Sequence, residues 1–386
     1  MKNSEIISLF KGIGIIIDEN IGDCNSHDDI NKIYRYLINR NIPLLSYSSI
    51  PKDEVIQNFK NASFVVLDWN LHNLDVIPQP IIDENIHFIE EINRICFIPI
   101  FIFTNEEPHD IELVLCERGL FHEDKGNNIF VKSKSEIKSG KILFSVIADW
   151  VRKVPSIYVL KKWENNAQLA TSELFHELNI ISPDWTSIML DTYLEDVGKE
   201  NSEIGNFLFN NLITTCTPLI LDKSLIHKKH LKVEKNELCQ LLERERFLKC
   251  DKLMDYPALG DVFNNGRKYY LNFRADCDLV RKDDPELYLV EGKIIREQDI
   301  NKRNSRYKFD KGAFLDRVNF AVVPFIHNGK IVEFKFDKIS IKKWKEIKEE
   351  RVGRLLPPYC TRVKLQLMAY LQRQAIPSIP NKAIRG

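Results

Sequence analysis

The chain has 386 residues, 44% hydrophobic and 28% charged, the composition of a globular protein of about two domains. Fifty-five basic residues balance 55 acidic ones, which excludes a protein that binds polyanions over its whole surface. No apolar run reaches the ~20 residues of a membrane span, the N-terminus MKNSEIISLFKG lacks a signal-peptide pattern, and the eight cysteines form no CxxC pair. The reading is therefore a cytoplasmic protein with reduced thiols, not a disulfide framework or a zinc ribbon.

The charge is graded along the chain. Residues 1–153 carry 16 basic and 23 acidic side chains, residues 154–327 carry 25 and 27, and residues 328–386 carry 14 and 5, for nets of −7, −2 and +9. An acidic head and a basic tail predict different partners for the two ends, with DNA, RNA or protein open for the tail.

Residues 1–153 alternate short apolar runs with amphipathic stretches. Strands are expected at Ile13–Ile17, Leu44–Tyr47, Phe64–Leu67, Ile98–Phe103 and Ile129–Val131, with helices at 28–40, 52–60, 84–95, 108–119 and 135–151. Continuous apolar strands between helices predict a parallel sheet covered on both faces. Five such units in this length predict a flavodoxin-like, doubly wound α/β domain. In that architecture chemistry gathers at the carboxyl ends of the strands. There the sequence places Asp18 and Glu19 after strand 1, Asp68 after strand 3, Thr104 after strand 4 and Lys132 after strand 5. Carboxylates suit a hard cation, a carboxylate can attack phosphorus, and an ammonium offsets phosphoryl charge.

This constellation resembles the receiver domain of two-component response regulators. The resemblance implies that Asp18, Glu19 and Asp68 hold Mg²⁺, that Asp68 accepts a phosphoryl group, and that Thr104 and Lys132 contact its oxygens. The chain departs from the family pattern after strand 3, where WNLHNLDVIPQPIIDEN is long and begins with Trp69, and at Ser133 after the lysine, where the family usually has proline. A receiver that keeps the shape and serves only for docking is the variant these departures allow.

Residues 154–252 read as a helical connector. Leu160, Trp163, Ala167, Ala170, Leu174 and Leu178 form one apolar stripe from Pro155 onward, suited to packing on the chain itself or to a homodimer through 157–178. Helices are also expected at 203–215 and 235–250. His227 and His230 lack a third ligand at metal spacing and read as surface residues.

Residues 253–386 read as a β-rich, barrel-like module. NNG turns at 264–266 and NG at 328–329 predict hairpins, Leu287–Val290 a further strand, and 340–352 and 361–375 helices. Asp278 followed by Glu291-Gly292-Lys293 resembles the PD-(D/E)xK nuclease signature, which implies a Mg²⁺ site with a lysine beside the attacking water. A second resemblance rests on VVLDWN, YYLNFRADCDLV and VGRLLPPYCTRVKLQLMAYLQRQ, which are similar to the response receiver domain proteins of bacteria and archaea. That family implies a divergent receiver, a barrel-like C-terminal module and a partner ATPase of the histidine-kinase-like GHKL type in stress or anti-phage defence loci. The expectation is a signalling and regulatory protein rather than an enzyme, with the Mg²⁺-dependent nuclease as the rival.

Overall fold

The computed structural model describes residues 5, 8–21, 29–72, 74–122, 126–137, 140–197, 202–227, 233–279, 282–302, 305–311, 313–315 and 317–373. His230 and the end of the basic tail lie outside them. The chain divides into two compact units, Met1–Thr186 with Gly205–Lys229, and Ser187–Ile204 with His230–Gly386. The stretch expected as a separate connector is thus shared between the two units. Among the described residues no helix is long and apolar enough to cross a membrane.

The first unit is a parallel sheet of five strands, β1 (Ile13–Ile17), β2 (Leu44–Tyr47), β3 (Ala62–Leu67), β4 (Ile100–Thr104) and β5 (Ile129–Ser133), in the order β2-β1-β3-β4-β5. Its helices are α1 (Asp29–Ile38), α2 (Asp53–Ile56), α3 (Gln79–Ile95), α4 (Pro108–Glu117), α5 (Gly140–Lys153) and α6 (Pro155–Ile181). Successive strand residues point to opposite faces, so an all-apolar strand needs cover on both sides. Ile16, Phe64, Val66, Phe101 and Phe103 pack with Ile30, Ile33 and Leu37 of α1, Phe144 and Ile147 of α5, and Ile157 of α6. Ile15, Ile17, Val65, Leu67 and Ile102 pack on the other face with Ile56 of α2, Ile86 and Ile89 of α3, and Ile111 and Leu115 of α4. Each such side chain contributes roughly 1.5–3 kcal/mol on burial. Gly14 lets β1 lie this close to its neighbours, since a Cβ there would come within 2.4 Å of the Phe64 ring.

The next helices are α7 (Trp185–Val197), α8 (Ser202–Cys216), α9 (Lys223–Ile226) and α10 (Lys235–Arg246). Helix α7 falls within the stretch expected to be helical, at a place where the sequence marks no individual helix. On α6, Ala170 is buried and Leu160, Ala167, Leu174 and Leu178 are half-buried, while Trp163 is 57% exposed. Off that stripe, on the face of buried Ile157, Lys161 is buried and donates to the Ser63 carbonyl at 2.8 Å and the Glu164 carboxylate at 2.7 Å.

The second unit is a curled antiparallel half-barrel. Its strands are β6 (Phe247–Lys249), β7 (Asp261–Asn264), β8 (Tyr269–Asn272), β9 (Glu286–Ile294), β12 (Phe320–Ile326), β13 (Lys330–Lys343) and β14 (Arg351–Leu355), ordered β12-β13-β9-β8-β7-β14-β6. A separate hairpin joins β10 (Phe309–Asp310) to β11 (Ala313–Phe314). The inner face buries Phe247, Val262, Leu271, Val290, Phe334 and Leu355 against Cys360, Val363 and Leu367 of the final helix, Tyr359–Leu371. Both expected hairpins are present, β7–β8 and β12–β13. The expected helix at 340–352 is not: residues 340–343 continue β13, Trp344–Ile347 form one helical turn followed by a 3-10 turn at Lys348–Glu350, and Arg351 begins β14.

Candidate functional site

The strand order brings the ends of β1 and β3 side by side at the point where the chain reverses its direction across the sheet. Such a switch point opens a crevice at the carboxyl edge of a doubly wound sheet. The Asp18 N–H bonds to the Tyr47 carbonyl at 3.0 Å, and the Asp68 N–H to the Ile17 carbonyl at 2.9 Å. Both aspartates are thereby fixed one residue beyond their strands. Thr104 ends β4, the next strand over, and is fully buried.

The lysine that meets them is Lys134, not Lys132. Its Nζ donates to Asp68 Oδ2 at 2.8 Å and to Asp18 Oδ2 at 3.0 Å. Asp18 is 0%, Asp68 2% and Lys134 6% exposed. The expected strand stopped at Val131, but β5 runs on through Lys132 and Ser133, in register with Phe103 and Thr104. The first residue past the strand is therefore Lys134. Lys132 points away and pairs with Glu136 at the partly exposed rim.

Two carboxylates share one ammonium, so the buried cluster carries a net charge of −1 when all three groups are ionised. Burial raises the Asp68 pKa from 3.8 to about 6 against the pull of Lys134, with the Asp18 charge adding to the rise. Burial works against the Lys134 ammonium as well, but the Asp68 and Asp18 charges outweigh it and hold its pKa above 10.5.

Loops complete the surroundings. The Asp18 carboxylate accepts from the Asn20 N–H at 2.9 Å, and Thr104 Oγ1 accepts from the Glu106 N–H at 3.0 Å. Asn70 Nδ2 donates to Glu106 Oε1 at 3.0 Å and to the Leu74 carbonyl at 2.8 Å, tying the loop after β3 to the loop after β4. Trp69 is buried in the core, its carbonyl accepting from Asn85 Nδ2 of α3 at 2.7 Å. Asn70, Asn85, Glu106 and Lys134 are not among the residues expected from the sequence. Only Lys134 had a signal, the alternation of IFVKSK, which offers two lysines two residues apart.

Glu19 follows Asp18 and is half-buried. Among the described residues no three His, Cys, Asp or Glu side chains converge as a metal cage. Asp18 and Asp68 nonetheless offer two adjacent hard-oxygen donors with surplus negative charge, a donor set that fits a hard divalent cation such as Mg²⁺.

The nuclease trio is not brought together. Asp278 lies beside Arg274 at 3.7 Å, and Arg274 Nη1 donates to the Glu286 carbonyl at the start of β9. Glu291 is five residues further along that strand, about 16 Å at the rise of an extended chain. There its carboxylate accepts from Lys268 at 2.7 Å. Lys293 is exposed, opposite Glu333 of β13. The Glu333 carboxylate is buried and taken up by Arg306 and the Tyr307 hydroxyl.

No family model matches the chain, and no curated protein matches it either.

Proposed function

We propose that this is a signalling protein whose first unit is a receiver of the two-component type, with Asp68 as phosphoacceptor. The observation that carries the reading is the convergence of Asp18, Asp68 and Lys134 at the switch point, with Thr104 on the strand between Asp68 and Lys134. An Asp68 oxygen forms the new bond to phosphorus as the bond from phosphorus to a phosphorylated donor breaks, and the donor leaves with the electron pair. Lys134, already hydrogen-bonded to Asp68, is placed to offset charge on the transferred group. The Thr104 hydroxyl supplies a donor that is free to turn, because its oxygen and not its hydrogen is engaged by Glu106. Asp18 and Asp68 would hold Mg²⁺, which when bound neutralises phosphoryl charge. A new arrangement at Asp68 then biases the protein between two states. The donor side of the proposal is the histidine-kinase-like ATPase partner that the sequence resemblance implies, working in a stress or anti-phage defence response.

The test is incubation with Mg²⁺ and a small phosphodonor such as acetyl phosphate, read by intact mass. Addition of one phosphoryl group to the wild type, absent in Asp68→Asn, supports the proposal. An unmodified wild type with both acetyl phosphate and phosphoramidate contradicts phosphotransfer and leaves the docking role of the same fold.

A further inference from the structure

The half-barrel carries an open sheet edge with a distinct chemistry. Strand β13 pairs with β12 only through Lys330–Lys335, the last backbone link on that side being the Phe336 N–H to the Asn319 carbonyl. At Glu291 of β9 the register shifts, with Ile339–Lys343 of β13 continuing against Glu286–Val290. Among the described residues no strand pairs with the other side of Asp337–Lys343. All seven of these residues are exposed except Lys342, which is half-buried.

The backbone directions on this edge follow from the neighbouring strands. The Phe273 N–H donates to the Tyr288 carbonyl, so the polar groups of Tyr288 face β8 and those of Leu287 and Leu289 face β13. Their partners Lys342 and Ser340 bond inward. Ile339, Ile341 and Lys343 therefore present N–H and C=O outward, an unfilled ladder for a further strand.

The side chains sort by face. Ile339 (46% exposed) and Ile341 (60%) lie with Tyr288 (42%) on one face. Lys338 and Lys342 lie on the other, Lys338 at 3.7 Å from Glu291 and Lys342 over the Tyr270 ring at 5.4 Å. A second copy of this edge, added antiparallel about Ser340, would match isoleucine to isoleucine. It would also set Lys338 against Lys342 twice, and like charges directly opposite oppose pairing. The same register sets Asp337 against Lys343 twice, so the like-charge repulsion is confined to the face of Lys338 and Lys342, and on that face a strand carrying carboxylates is favoured over a second copy.

We propose that Asp337–Lys343 is a β-augmentation site for an extended segment of a protein partner, apolar at alternate positions and acidic at the positions between. The segment joins as an eighth strand of the sheet, its main chain meeting Ile339, Ile341 and Lys343, its apolar side chains covering Ile339, Ile341 and Tyr288, and its carboxylates meeting Lys338 and Lys342. This assigns a partner chemistry to the basic stretch 328–386 and does not depend on phosphotransfer at Asp68.

The test uses the full chain and two fluorescein-labelled peptides of alternating composition, one of glutamate and valine, one of lysine and valine, followed by anisotropy. Ile341→Pro removes an outward N–H without touching the β9 ladder, and Lys338→Glu with Lys342→Glu reverses the charge; circular dichroism checks both for folding. The glutamate peptide is expected to bind the wild type saturably, and Ile341→Pro about tenfold more weakly, as one lost backbone hydrogen bond together with the lost isoleucine contact requires. The charge-reversed protein is expected to prefer the lysine peptide. Equal binding of both peptides by the wild type, or unchanged binding by Ile341→Pro, overturns the proposal. A dimer in sedimentation velocity that Ile341→Pro abolishes also overturns it, in favour of pairing between copies.

Discussion

Replacing Asp68 by asparagine should stabilise the first unit at neutral pH. The substitution keeps the shape of the side chain and removes a charge that is 2% exposed and shares its one ammonium with Asp18. The folded-state pKa of Asp68 lies above its ordinary value, so the folded protein binds the proton more tightly than the unfolded chain does. The favourable contribution of the protonated acid is therefore complete below about pH 3.8 and is lost as the pH rises through about 6. A rise from 3.8 to about 6 is over a hundredfold in proton affinity, or about 3 kcal/mol. Asparagine mimics the neutral acid at every pH. Asp68→Asn should therefore gain up to about 3 kcal/mol over wild type above pH 6, a gain that shrinks towards zero between pH 6 and pH 4. Urea unfolding followed by tryptophan emission reads this unit well, because Trp69, Trp150, Trp163 and Trp185 lie in it and only Trp344 lies in the other. Millimolar Mg²⁺ should narrow the gap by stabilising the wild type alone. A destabilised Asp68→Asn, or a gain that does not change with pH, would refute the electrostatic account of the cluster.

The two lysines of the β5 end should behave oppositely. Lys134→Ala leaves Asp18 and Asp68 buried without a counter-charge and should cost about 3–5 kcal/mol, whereas Lys132→Ala at the exposed rim should stay within about 0.5 kcal/mol; the same urea titration separates them. Asn70→Ala removes the link between the loops after β3 and β4 and should speed amide exchange at Leu74 and Glu106 while leaving the exchange of β13 unchanged. In the other unit the Glu243 carboxylate accepts from the N–H groups of Asn328 and Gly329 in the β12–β13 turn at 3.1 and 2.7 Å. Glu243→Ala should cost about 2–3 kcal/mol, read by the denaturant dependence of amide exchange in β12 and β13.

Much of the first unit is legible in the sequence because burial on both faces forces the strands to be apolar throughout. IGIII, FVVL and IPIFIF leave little choice of where β1, β3 and β4 run, and the polar residue that ends each run is then a site position. The same signal misplaces the lysine. Strand β5 is the edge of its sheet, so Lys132 and Ser133 continue the strand where a central one would need apolar residues, and the apolar run ends two residues before the strand does. In the loops that surround the site, Trp69, Asn70 and Leu74 are held by the Asn70 and Asn85 side chains, whose partners are 4 to 36 residues away and leave no periodic trace. In the half-barrel the turns at Asn265-Gly266 and Asn328-Gly329 announce their hairpins. KISIKKWKEIKEE reads as a charged helix, yet pairing with β9 extends its first part as strand. Exposed Ile339 and Ile341, alternating with Lys338, Ser340 and Lys342, are the residue-level trace of that outcome.

The central claim is that Asp18, Asp68 and Lys134 form a phosphoacceptor site, and beryllofluoride with Mg²⁺ tests it most directly because it requires no kinase. Trp69 adjoins Asp68, so its emission, together with the heat of binding, reports occupancy. The account predicts saturable, Mg²⁺-dependent binding of beryllofluoride to the wild type near pH 8, weakening as the pH falls below about 6 where Asp68 takes up its proton, and no binding to Asp68→Asn. A flat titration of a folded wild type, or equal binding by Asp68→Asn, would contradict it.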